Sequence, residues 1–87
     1  HSSLYSIVIK NIPEDYSDNE MSNNLKKIFS EFGKINRLKV LKDYNTNKLR
    51  GIAFIDFNNK SSIESILNSQ ERFKIGHNIL QIEKKNN

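Results

Sequence analysis

The chain has 87 residues, with 14 lysine and arginine side chains against 10 aspartate and glutamate side chains, and a formal net charge of +4. This length allows one hydrophobic core and therefore one domain. There is no cysteine, which excludes a disulfide framework, a thiolate zinc site and a cysteine nucleophile. No apolar run approaches the ~20 residues of a membrane span. The basic surplus suits a nucleic-acid surface, but an ordinary soluble domain can carry the same charge.

The ends of the chain are expected to lie outside the folded unit. Residues 1–3 (HSS) lack an initiating methionine and are interpreted as a tag remnant. The domain is expected over residues 4–85, and residues 86–87 are expected to be a frayed tail. Residues 4–12 (LYSIVIKNI) form a β-branched run ended by Pro13, which predicts the first strand.

The next segment predicts an amphipathic helix. Ser17 and Glu20 have the spacing of a capping box, in which each side chain accepts a hydrogen bond from the other residue's backbone N–H. Apolar side chains follow at helical spacing, namely Met21, Leu25, Ile28, Phe29 and Phe32. Gly33 is expected to end the helix in a left-handed conformation, which glycine adopts without steric cost.

The remainder of the chain alternates between strand and helix patterns. Residues 35–42 (INRLKVLK) predict a second strand, and the polar, turn-rich residues 43–48 separate it from a third strand at residues 50–57 (RGIAFIDF). A second helix is predicted at about residues 60–69, with Asn59 or Ser61 near its cap. Gly76 marks a turn, and residues 79–84 (ILQIEK) predict the last strand.

The element order is therefore β-α-β-β-α-β. This order predicts an α+β, ferredoxin-like fold: a four-stranded antiparallel sheet with two helices on one face. Right-handed crossovers place the first and third strands side by side at the centre. Because the helices cover one face only, the other face is expected to meet solvent or a partner.

Side-chain alternation sorts each strand into two faces. In the third strand Ala53, Ile55 and Phe57 share one face, and the charged residues Arg50 and Asp56 lie on the other. The charged set cannot face the helices without burying those charges. The same alternation assigns further residues to the uncovered face: Ser6, Val8, Lys10, Arg37, Lys39, Leu41, Ile52, Phe54, Gln81, Glu83 and Lys85. We expect an apolar centre surrounded mostly by basic side chains.

Two of these strands carry motif-like runs. RGIAFIDF resembles the first ribonucleoprotein motif of the RNA recognition motif family, K/R-G-F/Y-G/A-F-V-x-F/Y. The run IVIKNI (residues 7–12) resembles the second motif, a hydrophobic strand ending in Asn-Leu or Asn-Ile, and residues 32–35 (FGKI) match the segment after the first helix. The resemblance extends over about residues 5–84. It implies a module that binds single-stranded RNA on its open sheet.

The resemblance also implies which side chains meet RNA. Members of the family stack bases on three aromatic positions, which here are Val8, Ile52 and Phe54, so one of the three is aromatic. Stacking contributes about 1–3 kcal/mol per base, so the reduced set implies modest affinity for the domain alone. Arg50 matches the cation of the motif that contacts phosphate. The complete predicted RNA-binding set is Val8, Lys10, Arg37, Lys39, Leu41, Arg50, Ile52, Phe54, Gln81 and Lys85.

Protein binding is the alternative function. It would use either the apolar patch of the sheet or the helix face. Some domains of this type bind peptides through an Arg-x-Phe motif on the helix side, and this chain has Arg72-Phe73 at that place, without the intervening residue. Catalysis is not expected, since no glycine-rich phosphate loop, carboxylate pair or Ser-His-Asp arrangement is evident. No cofactor or metal is expected. The expected partners are single-stranded RNA and proteins of an RNA-processing complex, not a membrane. We expect an intracellular monomer, with the nucleus slightly favoured.

Overall fold

The two helices and the four strands of the main sheet follow the predicted order β-α-β-β-α-β. The computed structural model describes residues 5–69 and 72–85. Its elements are β1 (Tyr5–Lys10), α1 (Asp18–Phe29), β2 (Ile35–Asp43), β3 (Lys48–Phe57), α2 (Lys60–Asn68), β4 (Lys74–Ile75), β5 (Asn78–Ile79) and β6 (Gln81–Lys84). The predicted tag remnant, Leu4 of the first strand and the predicted tail at residues 86–87 lie outside the described residues. Neither helix of the described segments is long and apolar enough to cross a membrane.

The main sheet has four antiparallel strands in the order β2-β3-β1-β6. The predicted fold class is confirmed, with the two motif-bearing strands β1 and β3 at its centre. These strands pair from Tyr5 opposite Phe57 to Lys10 opposite Ile52. A separate two-stranded hairpin, β4-β5, precedes the last strand.

The core lies between the sheet and its two helices. The predicted inward residues of β3, namely Ala53, Ile55 and Phe57, are completely buried. Ile7 and Ile9 of β1 join them from the sheet, and the helices contribute Met21, Leu25, Phe29, Ile63 and Ile66. Each large apolar side chain buried in this way contributes about 1.5–3 kcal/mol relative to exposure. The helix-covered face therefore supplies most of the folding energy and leaves the opposite face available.

Helix α1 begins at the predicted capping box. The backbone N–H of Glu20 donates to Ser17 Oγ at 3.1 Å, and the backbone N–H of Ser17 donates to Glu20 Oε1 at 3.4 Å. The α-helix ends at Phe29, with the backbone N–H of Ser30 donating to the Lys26 carbonyl. One turn of 3₁₀ helix (Ser30–Phe32) then carries the apolar stripe to its last member. The Phe32 ring lies 5.7 Å from the Phe73 ring, centroid to centroid, so this turn still packs against the core.

Gly33 does not have the predicted left-handed conformation. Its φ is 155° and its ψ 174°, a region of backbone space that is essentially limited to glycine. A Cβ atom at this position would lie 2.0 Å from the Ser62 hydroxyl oxygen on α2. Glycine is therefore required here for two reasons: the backbone conformation at the end of the first helix and the close approach of the second helix. The local sequence does not reveal the second reason.

The last predicted strand is also shorter than expected. Ile79 does not belong to the main sheet, because it pairs with Lys74 in the β4-β5 hairpin. Leu80 separates the two sheets: its N–H donates to the Phe73 carbonyl at 2.8 Å and its side chain is buried. Ile79 and Leu80 are adjacent apolar residues and interrupt the alternation at this junction, a signal that the predicted strand over residues 79–84 passes over.

Substitution of Gly33 by alanine should destabilise the domain substantially. The new methyl group meets Ser62 and the backbone is left in a strained region, so we expect a loss of roughly 1–3 kcal/mol in the free energy of unfolding measured with urea. Gly33→Ala combined with Ser62→Ala should recover part of this loss, because the overlapping hydroxyl is removed. Equal stability of wild type and Gly33→Ala would show that the turn can open without cost.

Candidate nucleic-acid interface

The uncovered face of the sheet is ordered in rows that run across the strands. The first row contains Arg37, Asp56, Ser6 and Lys85, and the second contains Lys39, Phe54, Val8 and Glu83. The third contains Ile52, Lys10 and Gln81. Leu41 lies in a register shift of β2 between Val40 and Lys42, and it lines the same cavity as Phe54. Every residue of the predicted set except Arg50 thus has its place in or beside these rows.

Phe54 stands near the centre of this face and is half-buried. The ammonium nitrogen of Lys85 lies over its ring, 4.9 Å from the ring centroid. A cation over an exposed aromatic ring contributes about 0.5–1 kcal/mol. In the free domain, therefore, one face of this ring is already covered by a side chain of the same chain.

Lys10 also has a partner within the domain. Its Nζ lies 3.2 Å from Glu83 Oε2, and both side chains remain about half exposed, at 44% and 58%. An ion pair in such a solvated position contributes about 0.2–1 kcal/mol. The pair also lowers the positive charge of the face, because Glu83 offsets one of the cations that the sequence assigns to it.

Asp56 is one of three residues of this face that the predicted site omitted, with Ser6 and Glu83. Its carboxylate oxygen Oδ1 accepts a hydrogen bond from the hydroxyl of Ser6, which is buried although it lies on the uncovered face. Among residues 5–69 and 72–85, Asp56 forms no ion pair, even though Arg37 is its neighbour across the strands. The available sequence signal was a single carboxylate within an otherwise apolar strand, which alternation placed outward without indicating a role.

The first cavity of the face lies beside the first row, which contains Arg37, Asp56 and Lys85. It has a volume of about 220 Å³ and is lined by Arg37, Lys39, Leu41, Phe54, Asp56 and Lys85. The cavity thus combines an aromatic wall, one carboxylate and three cations. We refer to it below as the Asp56 cavity.

The predicted cation Arg50 lies elsewhere. It lines a larger cavity of about 690 Å³ with Lys10, Ile52 and Lys48, next to the loop that follows β1. Asn11 shapes this loop: its φ is 67°, its side-chain amide donates to the Ile79 carbonyl at 2.9 Å, and its own carbonyl accepts from the Asn78 amide at 3.0 Å. The predicted set is therefore divided between two cavities, with Val8 between them and Gln81 on the exposed edge strand.

The helix side carries a smaller apolar groove. A cavity of about 230 Å³ there is lined by Ile66, Leu67, Ile79 and Leu80 among others, and Leu67 and Ile79 are each about 40% exposed. Phe73 of the Arg72-Phe73 pair is a core residue, since it is buried and its ring lies 5.0 Å from the Phe29 ring. Its packing gives it a structural role.

A four-stranded antiparallel sheet, covered by helices on one face and carrying an aromatic ring among cations on the other, defines a class of small single-sheet binding domains. The family model of the RNA recognition motif matches residues 7–81, and the chain belongs to this family.

Curated relatives are similar over most of the chain. A subunit of eukaryotic translation initiation factor 3 from Brugia malayi is 32% identical over 75 residues, which cover 86% of this chain and 25% of that protein. The U4/U6 snRNA-associated splicing factor PRP24 of Ophiostoma ulmi is 29% identical over 75 residues, which cover 86% of this chain and 8% of that protein. The chain thus spans a quarter or less of these relatives.

Solved structures share the fold. The Rna15 RRM with bound RNA (GU) superposes with a TM-score of 0.74 at 23% identity, covering 94% of this chain and 83% of that one. The RNA-binding domain of Hrp1 in complex with RNA superposes with a TM-score of 0.76 at 22% identity, covering 94% of this chain and 46% of that one. These likenesses establish the architecture.

The interaction between Ser6 and Asp56 can be measured through stability. Asp56→Ala leaves a buried hydroxyl without its acceptor, so we expect a loss of about 1–3 kcal/mol in the free energy of unfolding. Ser6→Ala should cost less, because a half-exposed carboxylate can turn to water. A double-mutant cycle gives the coupling, and additive losses would show that the two side chains do not interact.

Proposed function

We propose that this domain binds single-stranded RNA across the uncovered face of its sheet. The observation that carries the proposal is the position of Phe54, a half-buried ring at the centre of that face beside a cavity lined by Arg37, Lys39 and Lys85. Domains of this family bind unpaired bases by stacking and phosphates by charge. The same combination of side chains is available here.

In this proposal Phe54 stacks one base, and Lys85 gives way to it. The cation–ring interaction contributes about 0.5–1 kcal/mol, whereas base stacking contributes about 1–3 kcal/mol. The base therefore displaces the ammonium from the ring. Lys85 is long and exposed, so its charge can move to a neighbouring phosphate. The new interaction with phosphate offsets part of the cost of leaving the ring.

Val8 and Ile52 supply apolar contact without stacking. Both are half-buried on the same face as Phe54, and each replaces a ring that would add about 1–3 kcal/mol per base. We therefore propose modest affinity and limited base discrimination outside the immediate surroundings of Phe54. In the full protein, neighbouring domains would add binding energy through a raised effective concentration.

The cations hold the RNA backbone. Arg37, Lys39 and Lys85 surround the Asp56 cavity at one end. Lys10, Lys48 and Arg50 line the larger cavity at the other, together with the carboxylates of Glu14 and Asp15. Cations at both ends suit an RNA strand that crosses the face. Phosphate contacts fix the position and register of the RNA, and base contacts supply sequence specificity. The proposed function is binding and positioning, with no catalytic step.

The relatives suggest the setting. One belongs to a translation initiation factor and another is a splicing factor, so we propose that the full protein is an intracellular component of an RNA-containing assembly. The nucleus is slightly favoured over the cytoplasm.

Protein binding is the second candidate function. The groove beside Leu67 and Ile79 is favoured for it, because two large apolar side chains remain exposed at its border. Amide-shift mapping separates the two functions: RNA should move signals of β1 and β3, whereas a protein partner on this groove should move signals of α2 and the β4-β5 hairpin.

The stacking and charge contributions can be separated by their salt dependence. Phe54→Ala should weaken binding of a mixed pool of short RNAs by about 1–3 kcal/mol with little change in salt dependence. Lys39→Ala and Arg50→Ala should instead reduce the slope of log K against log salt by about 0.7 for each phosphate that is no longer neutralised. Fluorescence anisotropy over a series of salt concentrations measures both quantities.

Lys60→Ala is the matched control for these substitutions. Lys60 is an exposed cation at the start of α2 and is absent from both cavities of the sheet. Its removal should leave the salt slope almost unchanged. If Phe54→Ala binds as tightly as wild type, RNA does not stack on this face and the proposed function is wrong.

Glu83→Gln should strengthen RNA binding. The substitution removes a negative charge from the face and releases Lys10 from its 3.2 Å ion pair. We expect a gain of about 0.2–1 kcal/mol and a salt slope steeper by up to about 0.7. Glu64→Gln on the exposed surface of α2 is the control for the change in net charge, and an equal gain from it would contradict a local role of Glu83.

A further inference from the structure

We infer that the Asp56 cavity is a base-reading site and that Asp56 selects guanine there. This inference rests on the proposed function. The base that it concerns is either the one stacked on Phe54 or the base next to it. It assigns a specificity role to a residue at the variable position of the RGIAFIDF run, where the family motif prescribes no side chain.

The carboxylate of Asp56 is held in a fixed orientation. Ser6 is buried, and its hydroxyl donates to Oδ1. An ionised carboxylate has about four acceptor sites on its two oxygens, so one hydrogen bond leaves Oδ2 and part of Oδ1 available. Since Ser6 comes from β1 and Asp56 from β3, the two central strands of the sheet fix the group jointly.

In the described part of the chain, the available acceptors of Asp56 are not engaged in ion pairs with the neighbouring cations. Arg37, Lys39 and Lys85 line the same cavity, yet within residues 5–69 and 72–85 none of them forms an ion pair with Asp56. Lys85 is directed to the Phe54 ring instead, 4.9 Å from its centroid. The cavity therefore presents a carboxylate acceptor and separate cationic donors at the same time.

The carboxylate of Asp56 opposes the attraction that Arg37, Lys39 and Lys85 exert on a phosphate at this end of the face. Like charges repel, and RNA brings a negatively charged phosphate with every nucleotide. The repulsion is offset when a base presents N–H donors to the carboxylate, because a hydrogen bond with one ionised partner is about twice as strong as a neutral one. The arrangement thus favours bases over backbone at this point of the face.

Among the four bases, guanine fits this set of groups best. Its Watson–Crick edge has two adjacent donors, N1–H and N2–H, that match the two oxygens of a carboxylate, and its O6 and N7 acceptors suit a lysine or arginine. Adenine and cytosine each present one amino group beside an acceptor nitrogen. Uracil presents a single N–H between two carbonyls, which the carboxylate would repel.

The test uses seven-nucleotide RNAs of sequence UUUXUUU, with X as guanine, inosine, adenine, cytosine or uracil, measured by fluorescence anisotropy at one salt concentration. Inosine is guanine without its N2 amino group, so it removes one of the two proposed hydrogen bonds. We expect the guanine oligonucleotide to bind wild type roughly 5- to 150-fold more tightly than the uracil one, with inosine between them.

Asp56→Asn separates this role from other effects of the carboxylate. Asparagine keeps one acceptor oxygen, can retain the hydrogen bond from Ser6 and removes the negative charge. We expect the preference for guanine over inosine to disappear while binding to the other oligonucleotides stays equal or improves. If the variant binds all five RNAs more tightly and keeps the guanine preference, Asp56 acts only as a repelling charge. If it binds all five more weakly, Asp56 acts only in folding. Either result would overturn the inference.

Phe54→Ala distinguishes failure of this inference from failure of the proposed function. If wild type binds all five RNAs equally and binding still depends on Phe54, the guanine site is wrong and RNA binding on the face stands. If binding does not depend on Phe54, both proposals are wrong. An amide spectrum of Asp56→Asn checks its fold, and the comparison of guanine with inosine on wild type decides the matter if that variant does not fold.

Discussion

The structure depends on the burial of one face of the two central strands beneath both helices. Ile7, Ile9, Ala53, Ile55 and Phe57 are completely buried there. Because consecutive side chains of a strand point in opposite directions, burial of these five residues also determines which residues face outward, and the pairing of β1 with β3 sets their register. A slip of one residue would bring charges into the core and apolar side chains to the surface. The candidate interface is thus a geometric consequence of the core.

The uncovered face is partly occupied by its own side chains. Lys85 covers the Phe54 ring, and Glu83 pairs with Lys10. Each interaction is weak by itself, at about 0.2–1 kcal/mol, so an incoming strand of RNA can replace both. In the proposed RNA complex these interactions would be exchanged for new ones, and the net affinity for RNA would be the difference between the two sets. Phe54 is the single aromatic residue among the three stacking positions of the family, which is the reason for the proposed modest affinity.

Asp56 gives the face an asymmetry that its net charge conceals. The acid lies between cations, is held by a buried serine from the neighbouring strand, and adjoins the stacking ring in one cavity. At the opposite end the cations Lys48 and Arg50 adjoin a broader cavity shaped by the Asn11 loop. Acceptor groups suit bases and unpaired cations suit phosphates. The larger cavity is also lined by Glu14 and Asp15, so the asymmetry lies in the Phe54 ring and the hydrogen bond from Ser6, which belong to the Asp56 end.

Periodicity and turn chemistry were sufficient to predict the element order, the capping box at Ser17 and Glu20, and the division of β3 between core and surface, because these depend on neighbours in the chain. Tertiary structure alone decided three further points. Gly33 is required by Ser62 of another helix, Ile79 pairs in a hairpin instead of the main sheet, and Asp56 shares a cavity with Lys85 and Phe54. The first and third points join residues remote in sequence, Gly33 with Ser62 and Asp56 with Lys85, which alternation within a segment does not encode. The second is a local pairing of Ile79 with Lys74. The sequence by itself determined the family and the faces of the sheet, and the packing of distant segments decided which side chains meet on them.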